Sequence, residues 1–182
     1  MSFDFETAEH IVGYFLWKAG GTMSYLKLLK LVYLADRKAL LETGKTLTGD
    51  SYSAMKLGPV PSFTYNYLKQ DMFLPDWIEH KKFDTRLKKE VDSKDPLETF
   101  ELLSPMAQDI LESIWEKYGK IDKYNLSKLT RTICPEWEKC KDDSIELADI
   151  LKAEGYSSSQ IHTTLERLDE FNKLQDFSKE MQ

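Results

Sequence analysis

Cysteine is scarce in this chain of 182 residues, which holds two, Cys134 and Cys140. A small secreted domain stapled by disulfides would use more, so both are expected as reduced thiols. Histidine is equally thin, with His10, His80 and His162 the full set. The C-x5-C spacing is not that of a zinc knuckle and no histidine lies near it in sequence, so no metal and no cofactor is expected. Positive charge is also short. Twenty-five Lys and Arg face 31 Asp and Glu, a net charge of −6. No third of the chain is basic: residues 1–60 carry 7 basic and 6 acidic side chains, 61–120 carry 9 and 12, and 121–182 carry 9 and 13. That balance argues against a nucleic-acid partner, whose phosphates demand a basic footprint. The densest basic cluster, Lys81, Lys82, Arg86, Lys88 and Lys89, is interrupted by Glu79, Asp84 and Glu90 and reads as a solvated strand or loop.

Long apolar runs are missing, and none approaches the roughly 20 residues of a membrane span. The opening stretch MSFDFETAEH is acidic and polar, without a charged-then-apolar leader, so the expected compartment is the reducing cytoplasm. Phosphate-binding loops, dinucleotide fingerprints, H-E-x-x-H and nucleophile-elbow motifs are absent, and nothing pairs a nucleophile with a base. The expectation is a non-enzyme.

What is present is a globular chain, 41% hydrophobic and 31% charged. Its length suits one domain over residues 1–182, able to bury roughly 70% of its unfolded surface. Helical periodicity dominates, with a short strand region in the middle, which gives an α+β, mainly α-helical class with a small β-sheet around a central buried helix. Thr7–Ala19 reads as a first helix stopped by Gly20-Gly21, and Ser24 as the cap of a second that runs to about Leu41 before Gly44. At 100° per residue, Lys27, Lys30, Arg37 and Lys38 of this second helix share a narrow polar arc while leucines, Val32, Tyr33 and alanines fill the rest. A helix apolar nearly all round is a buried one. Asp36 lies in the middle of the apolar arc. A carboxylate there needs a partner: a cation, a tyrosine hydroxyl or backbone amides. A structural carboxylate is favoured over a general base, because no nucleophile or metal-ligand set accompanies it.

Downstream, Thr48-Gly49-Asp50 reads as a turn, Ser51–Leu57 as a short strand, Gly58-Pro59-Val60-Pro61 as extended chain, and Ser62 as the cap of a helix to about Lys69. Trp77-Ile78 and Thr99–Leu103 suit short strands, with a charged hairpin or mobile loop between them. Ser104-Pro105 opens a helix that Gly119 closes, with Met106, Ile110, Ile114 and Tyr118 four apart. Further helices are expected over Asn125–Ile133, from Asp143 or Ser144 to Gly155, and from about Ser157 onward.

Two of these segments carry a resemblance. K-L-L-K-L-V-Y-L-A-D-R, Lys27 to Arg37, and T-G-D-S-Y-S-A-M-K-L-G-P-V-P-S, Thr48 to Ser62, resemble the two linked motifs of the Panacea domain, also called the SocA-like antitoxin domain, a family that includes phage-associated GepA-like proteins. The matching positions include Lys27, Lys30, Tyr33, Asp36 and Arg37, then Thr48, Gly49, Asp50, Tyr52, Met55, Lys56, Gly58, Pro59 and Pro61. Ser104-Pro105 and Trp137 match more weakly. The signature covers about residues 24–69 and the resemblance most of 5–140, with 143–182 as a helical extension. It implies a mainly helical fold with a small sheet, and the role of antitoxin in a bacterial or phage toxin–antitoxin system. The implied partner is a cognate toxin protein, with an ATP-dependent protease as a second partner if the chain works as an adaptor; oligomeric state stays open. Physically, most of the signature is expected to build the fold, with Lys56 a candidate cation for Asp36.

Two features lie outside the signature. Ile150–Ile161 places a glycine and a later isoleucine at helix-turn-helix spacing, the basis of a DNA-binding alternative. Against it, residues 143–182 hold 4 basic and 9 acidic side chains. The last helix, with Leu165, Leu168, Phe171 and Leu174, either packs on the body or faces a partner. Candidate partner-binding anchors are Tyr65, Phe73, Trp77 and Phe171.

Overall fold

The computed structural model describes residues 3–70, 75–88, 100, 102–139 and 142–180. Helix α1 (Phe5–Lys18) starts two residues before the expected Thr7, because the Asp4 side chain accepts from the Thr7 amide and caps it. Strand β1 (Thr22–Ser24) follows, then α2 (Tyr25–Thr43), ended by Gly44. Ser24 occupies the cap position of α2 but makes no side-chain capping bond. Strands β2 (Tyr52–Met55) and β3 (Gly58–Pro61) form a hairpin turned by Lys56-Leu57. Helix α3 (Ser62–Gln70) leads to the hairpin β4 (Ile78–Lys81) and β5 (Asp84–Leu87), which takes the first part of the charged middle segment; residues 89–99 lie outside the described residues. Helix α4 (Pro105–Tyr118) is capped by Ser104 as its sequence dictates, and α5 (Lys123–Ile133) by Asp122. The short α6 (Glu136–Lys139), β6 (Ser144–Ile145), α7 (Leu147–Ala153) and α8 (Ser158–Glu180) complete the chain.

The mainly helical α+β class is as expected, and the strand region forms two small antiparallel three-stranded sheets, ordered β1-β5-β4 and β3-β2-β6; two local expectations are corrected. Their outer members β1 and β6 span three and two residues, too short to show alternation in sequence. The helix placed from Asp143 or Ser144 begins at Leu147, because Ser144-Ile145 pairs with Ser53 and Tyr52 of β2. Phe100, Leu102 and Leu103 form turn and bend rather than strand, while Thr99 and Glu101 lie outside the described residues.

The core gathers on α2, as its all-round apolarity requires. It is packed by α1, α3, α4, α5 and α7 and by strands β1 and β3. Leu28, Leu29, Leu31, Val32, Tyr33, Ala35, Ala39 and Leu40 are all buried. Helix α1 lies alongside with Ile11, Phe15 and Leu16 inward. The polar arc read for α2 is only partly wet, since Lys30 is completely buried. The cause is tertiary: β3 and α5 pack together over that side of the helix.

A close approach on α1 depends on the absence of a side chain. A Cβ on Gly13 would stand 2.5 Å from the Phe100 ring and 2.6 Å from Trp77. Alanine favours helix by about 1 kcal/mol over glycine, but overpacking a filled core costs about 1–3 kcal/mol. Gly13→Ala is therefore expected to lower the urea midpoint; a midpoint unchanged or raised would mean that the two rings swing clear.

Candidate functional site

Helix α2 projects three of its signature side chains, Tyr33, Asp36 and Arg37, into two polar clusters, and the first centres on Asp36. The carboxylate is fully buried and takes four hydrogen bonds. Oδ1 accepts the amides of Leu47 and Thr48 at 2.9 and 3.0 Å. Oδ2 accepts the Thr48 hydroxyl at 2.5 Å and the Tyr52 hydroxyl at 3.0 Å. The partners are thus hydroxyls and amides from the segment after α2. Lys56 is not among them: it sits exposed at the β2–β3 turn. Burial outweighs the four donors and raises the Asp36 carboxyl to about 6. Tyr52 is lifted well above its ordinary range, by burial first and by the neighbouring carboxylate second.

Asp50 repeats the device one step on. Its carboxylate accepts the amides of Phe63 and Thr64 at 2.8 and 2.9 Å and the Thr64 hydroxyl at 2.7 Å. It therefore caps α3 from twelve residues upstream of that helix, the role expected of Ser62. Ser62 instead shares a hydrogen bond with Ser53. Between the two acids, the Gly49 amide donates to Thr46 Oγ1 and the Asp50 amide to Thr48 Oγ1, which closes the turn.

The second cluster joins α2 to the C-terminal part. Arg37 Nε donates to Glu136 Oε1 at 2.7 Å, and its Nη2 to Glu136 Oε2 at 3.3 Å and to Glu154 Oε1 at 2.6 Å. The Tyr33 hydroxyl donates to the same Glu136 Oε1 at 2.7 Å. Glu136 is 1% exposed, so its charge is matched inside the protein rather than by water. Burial alone would lower the Arg37 guanidinium, but the Glu136 hydrogen bond and charge hold it above its ordinary value. Tyr33 and Tyr52 meet edge to face at 5.4 Å, so the two clusters share a wall of aromatic rings.

Lys30 lies beside this wall and donates to the Pro59 carbonyl at 2.6 Å. Burial pulls the ammonium down to about 7. Gly58 (φ 100) gives it room, since a Cβ there would stand 3.4 Å from Lys30 Nζ and 3.0 Å from Thr130 Oγ1. Pro59 and Pro61 are buried in β3. Lys27 reaches the Gly119 carbonyl at 2.5 Å and lies over the Trp115 ring. Met55 is exposed, and its carbonyl accepts from Trp137 Nε1 at 2.8 Å.

The candidate anchors fare differently. Trp77 is half-buried in an aromatic cluster with His10 and Phe100, and Tyr65 packs on the core beneath Lys69. Phe171 stays 36% exposed under the Lys45 ammonium, and Phe73 lies outside the described residues. On α8, Ile161, Leu165 and Leu168 pack on the body whereas Leu174 and Phe177 face solvent. Among the described residues no group of His, Cys, Asp and Glu could hold a metal ion. Cys134 is buried, with its thiol pushed up to about 12 by burial first, and Cys140 lies outside the described residues.

Sequence reasoning missed Glu136, Glu154 and the long-range capping by Asp50. Glu136 stands in the charged run E-W-E-K, which has the pattern of a solvated face, and only the Arg37 fork in three dimensions marks it out.

Removing the Asp36 carboxylate strands two amides and two hydroxyls, so Asp36→Ala is expected to cost about 3 kcal/mol or more. The native carboxyl titrates near 6 against 3.8 unfolded, so the native state holds the extra proton between those values. Its contribution to stability is therefore full below pH 3.8 and is lost as pH rises to about 6. Urea unfolding of wild type and Asp36→Asn across that window reads it: wild type loses up to about 3 kcal/mol relative to the variant, and parallel curves would refute the assignment.

Comparison with protein-family models matches residues 28–138 to the family described as "Antitoxin SocA-like, Panacea domain". No curated protein and no solved structure gives a match. The matched region takes in most of α2, the first signature segment from Leu28 and all of the second, the two acid-centred clusters as far as Glu136, and Trp137. The chain belongs to the SocA-like antitoxin family, that of the Panacea domain.

Proposed function

We propose that this protein is an antitoxin that acts without catalysis, neutralising a partner toxin in the cytoplasm by direct protein–protein contact. The observation that carries the reading is the direction in which the polar signature residues face. Asp36, Asp50 and Thr48 are buried and bonded to the chain itself, as are Lys30 and Tyr33. These groups make a scaffold, and what the scaffold offers outward is surface. Several large apolar side chains stand on that surface, among them Phe5, Phe63, Leu174 and Phe177. Contiguous exposed apolar patches mark interaction surfaces, and Phe5 and Phe63 join Phe3 in one. The family assignment supplies the class of partner. Among the described residues no helix is long and apolar enough to cross a membrane, which fits a partner met in solution.

The helix-turn-helix alternative finds less support. Helix α7 has seven residues, and its Ile150 and Leu151 are buried against the body. The acidic balance of residues 143–182 remains the wrong sign for phosphate.

The test is bacterial growth with the neighbouring gene expressed, with and without this protein. Toxicity relieved by co-expression, with both proteins co-purifying, is the expected result; a toxic neighbour that is neither bound nor relieved would overturn the reading. Turnover of the bound toxin that requires this protein and ATP would add the adaptor role. Retention on operator DNA that falls steeply with salt would shift the reading to a regulator.

A further inference from the structure

Three phenylalanines meet on the outside of the molecule where α1 and α3 begin. Phe5 is 52% and Phe63 49% exposed. Phe3 stacks on Phe63 with ring centres 5.3 Å apart and meets Phe5 edge-on at 4.5 Å, and Phe5 in turn meets Tyr67 at 5.8 Å. The patch is held from below by the buried signature network. The Asp4 amide donates to the Thr48 carbonyl at 2.9 Å, and the Phe63 amide to the Asp50 carboxylate at 2.8 Å. Thr48 is itself fixed by Asp36. Rings that would collapse inward on a flexible loop are thus presented on a rigid base.

The electrostatics of the patch are one-sided. Asp4 and Glu6 are exposed beside it, and Glu9 accepts the Tyr67 hydroxyl. Among the described residues none of these three carboxylates joins an ion pair. Exposed rings elsewhere carry a lysine of the chain itself: Lys82 over Phe83, Lys123 over Tyr124 and Lys45 over Phe171. Among the described residues no cation lies over Phe3, Phe5 or Phe63. An aromatic face attracts a cation, most strongly when a carboxylate stands near and water is excluded. A second copy would bring the same carboxylates face to face, and like charges repel across an interface.

We propose that the Phe3–Phe5–Phe63 patch is the docking surface for a partner protein, which lays an arginine from a basic, apolar surface on these rings between Asp4 and Glu6. The proposal rests on the antitoxin reading for the partner's identity, and the toxin is then the protein that carries the arginine. Aromatic residues and arginine are the side chains that interfaces concentrate in their cores.

The experiment uses the full chain with a C-terminal tag, as wild type, as Phe5→Ser/Phe63→Ser and as Glu6→Lys, which alters charge without touching the rings. Each is co-expressed with the neighbouring toxin gene. Each is also titrated by NMR with a synthetic peptide of alternating arginine and leucine, and with its glutamate counterpart. The expected result is wild-type binding of the arginine peptide alone, with shifts centred on the patch. Affinity should fall about tenfold or more in both variants at an unchanged melting temperature, with growth rescue lost. Variants that bind the peptide and rescue growth like wild type would overturn the proposal, as would shifts centred on α8. A wild-type dimer in sedimentation that the double variant dissolves would overturn it too, by giving the patch to a second copy. A wild type that leaves a toxic neighbour unneutralised sinks the antitoxin reading alone, and the peptide titration then decides the patch.

Discussion

The Asp36 carboxylate is the constraint on which the rest of the structure depends. It is a charge-bearing group in the centre of the most buried helix, and it holds the chain that leaves that helix by four hydrogen bonds. Because two of the donors are backbone amides, the acid fixes the path of the 47–48 segment rather than a mere pair of side chains. That path delivers Asp50 to the start of α3 and Tyr52 to the inner face of β2. An apolar residue at position 36 could fill the same volume but could not dictate where the following dozen residues go. The cost of burying the acid shows in its raised pKa and is offset by the order it imposes.

The Arg37 cluster does the corresponding work for the C-terminal part. One guanidinium holds Glu136 of α6 and Glu154 just beyond α7, so neighbouring residues on one turn of α2 secure segments far apart in the chain. Asp36 looks forward to residues 47–52 and Arg37 to residues 136–154. The central helix is therefore more than a hydrophobic rod. It is the one element that both halves read for their position.

Much of this was legible in the sequence because it follows from local rules. The all-round apolarity of α2, the Ser104-Pro105 start of α4 and the extended Gly58–Pro61 segment each rest on a few adjacent residues, and each appears where expected. The lone acid in an apolar arc announced a buried carboxylate. What escaped was decided at a distance. Lys30 looks wet on a helical wheel and is buried only because β3 and α5 close over it. Glu136 looks like any surface glutamate until Arg37 is beside it. Strands of two or three residues have no period to detect, and their partners lie some sixty to ninety residues away. At the candidate docking face, Phe3, Phe5 and Phe63 are unremarkable as separate letters, and only the folded chain stacks them.

The family match closes at residue 138, yet the molecule does not. Ile145 supplies the third strand of the β3-β2-β6 sheet by pairing with Tyr52, and Glu154 supplies the second carboxylate of Arg37. During synthesis on a ribosome, α2 would emerge long before either group exists, with a part-buried arginine half-matched and a sheet edge open. The nascent chain therefore gains these stabilising partners only when about 100 to 110 residues have followed the helix they complete. On the antitoxin reading proposed above, the time needed to translate the extension would become part of the time needed to be protected.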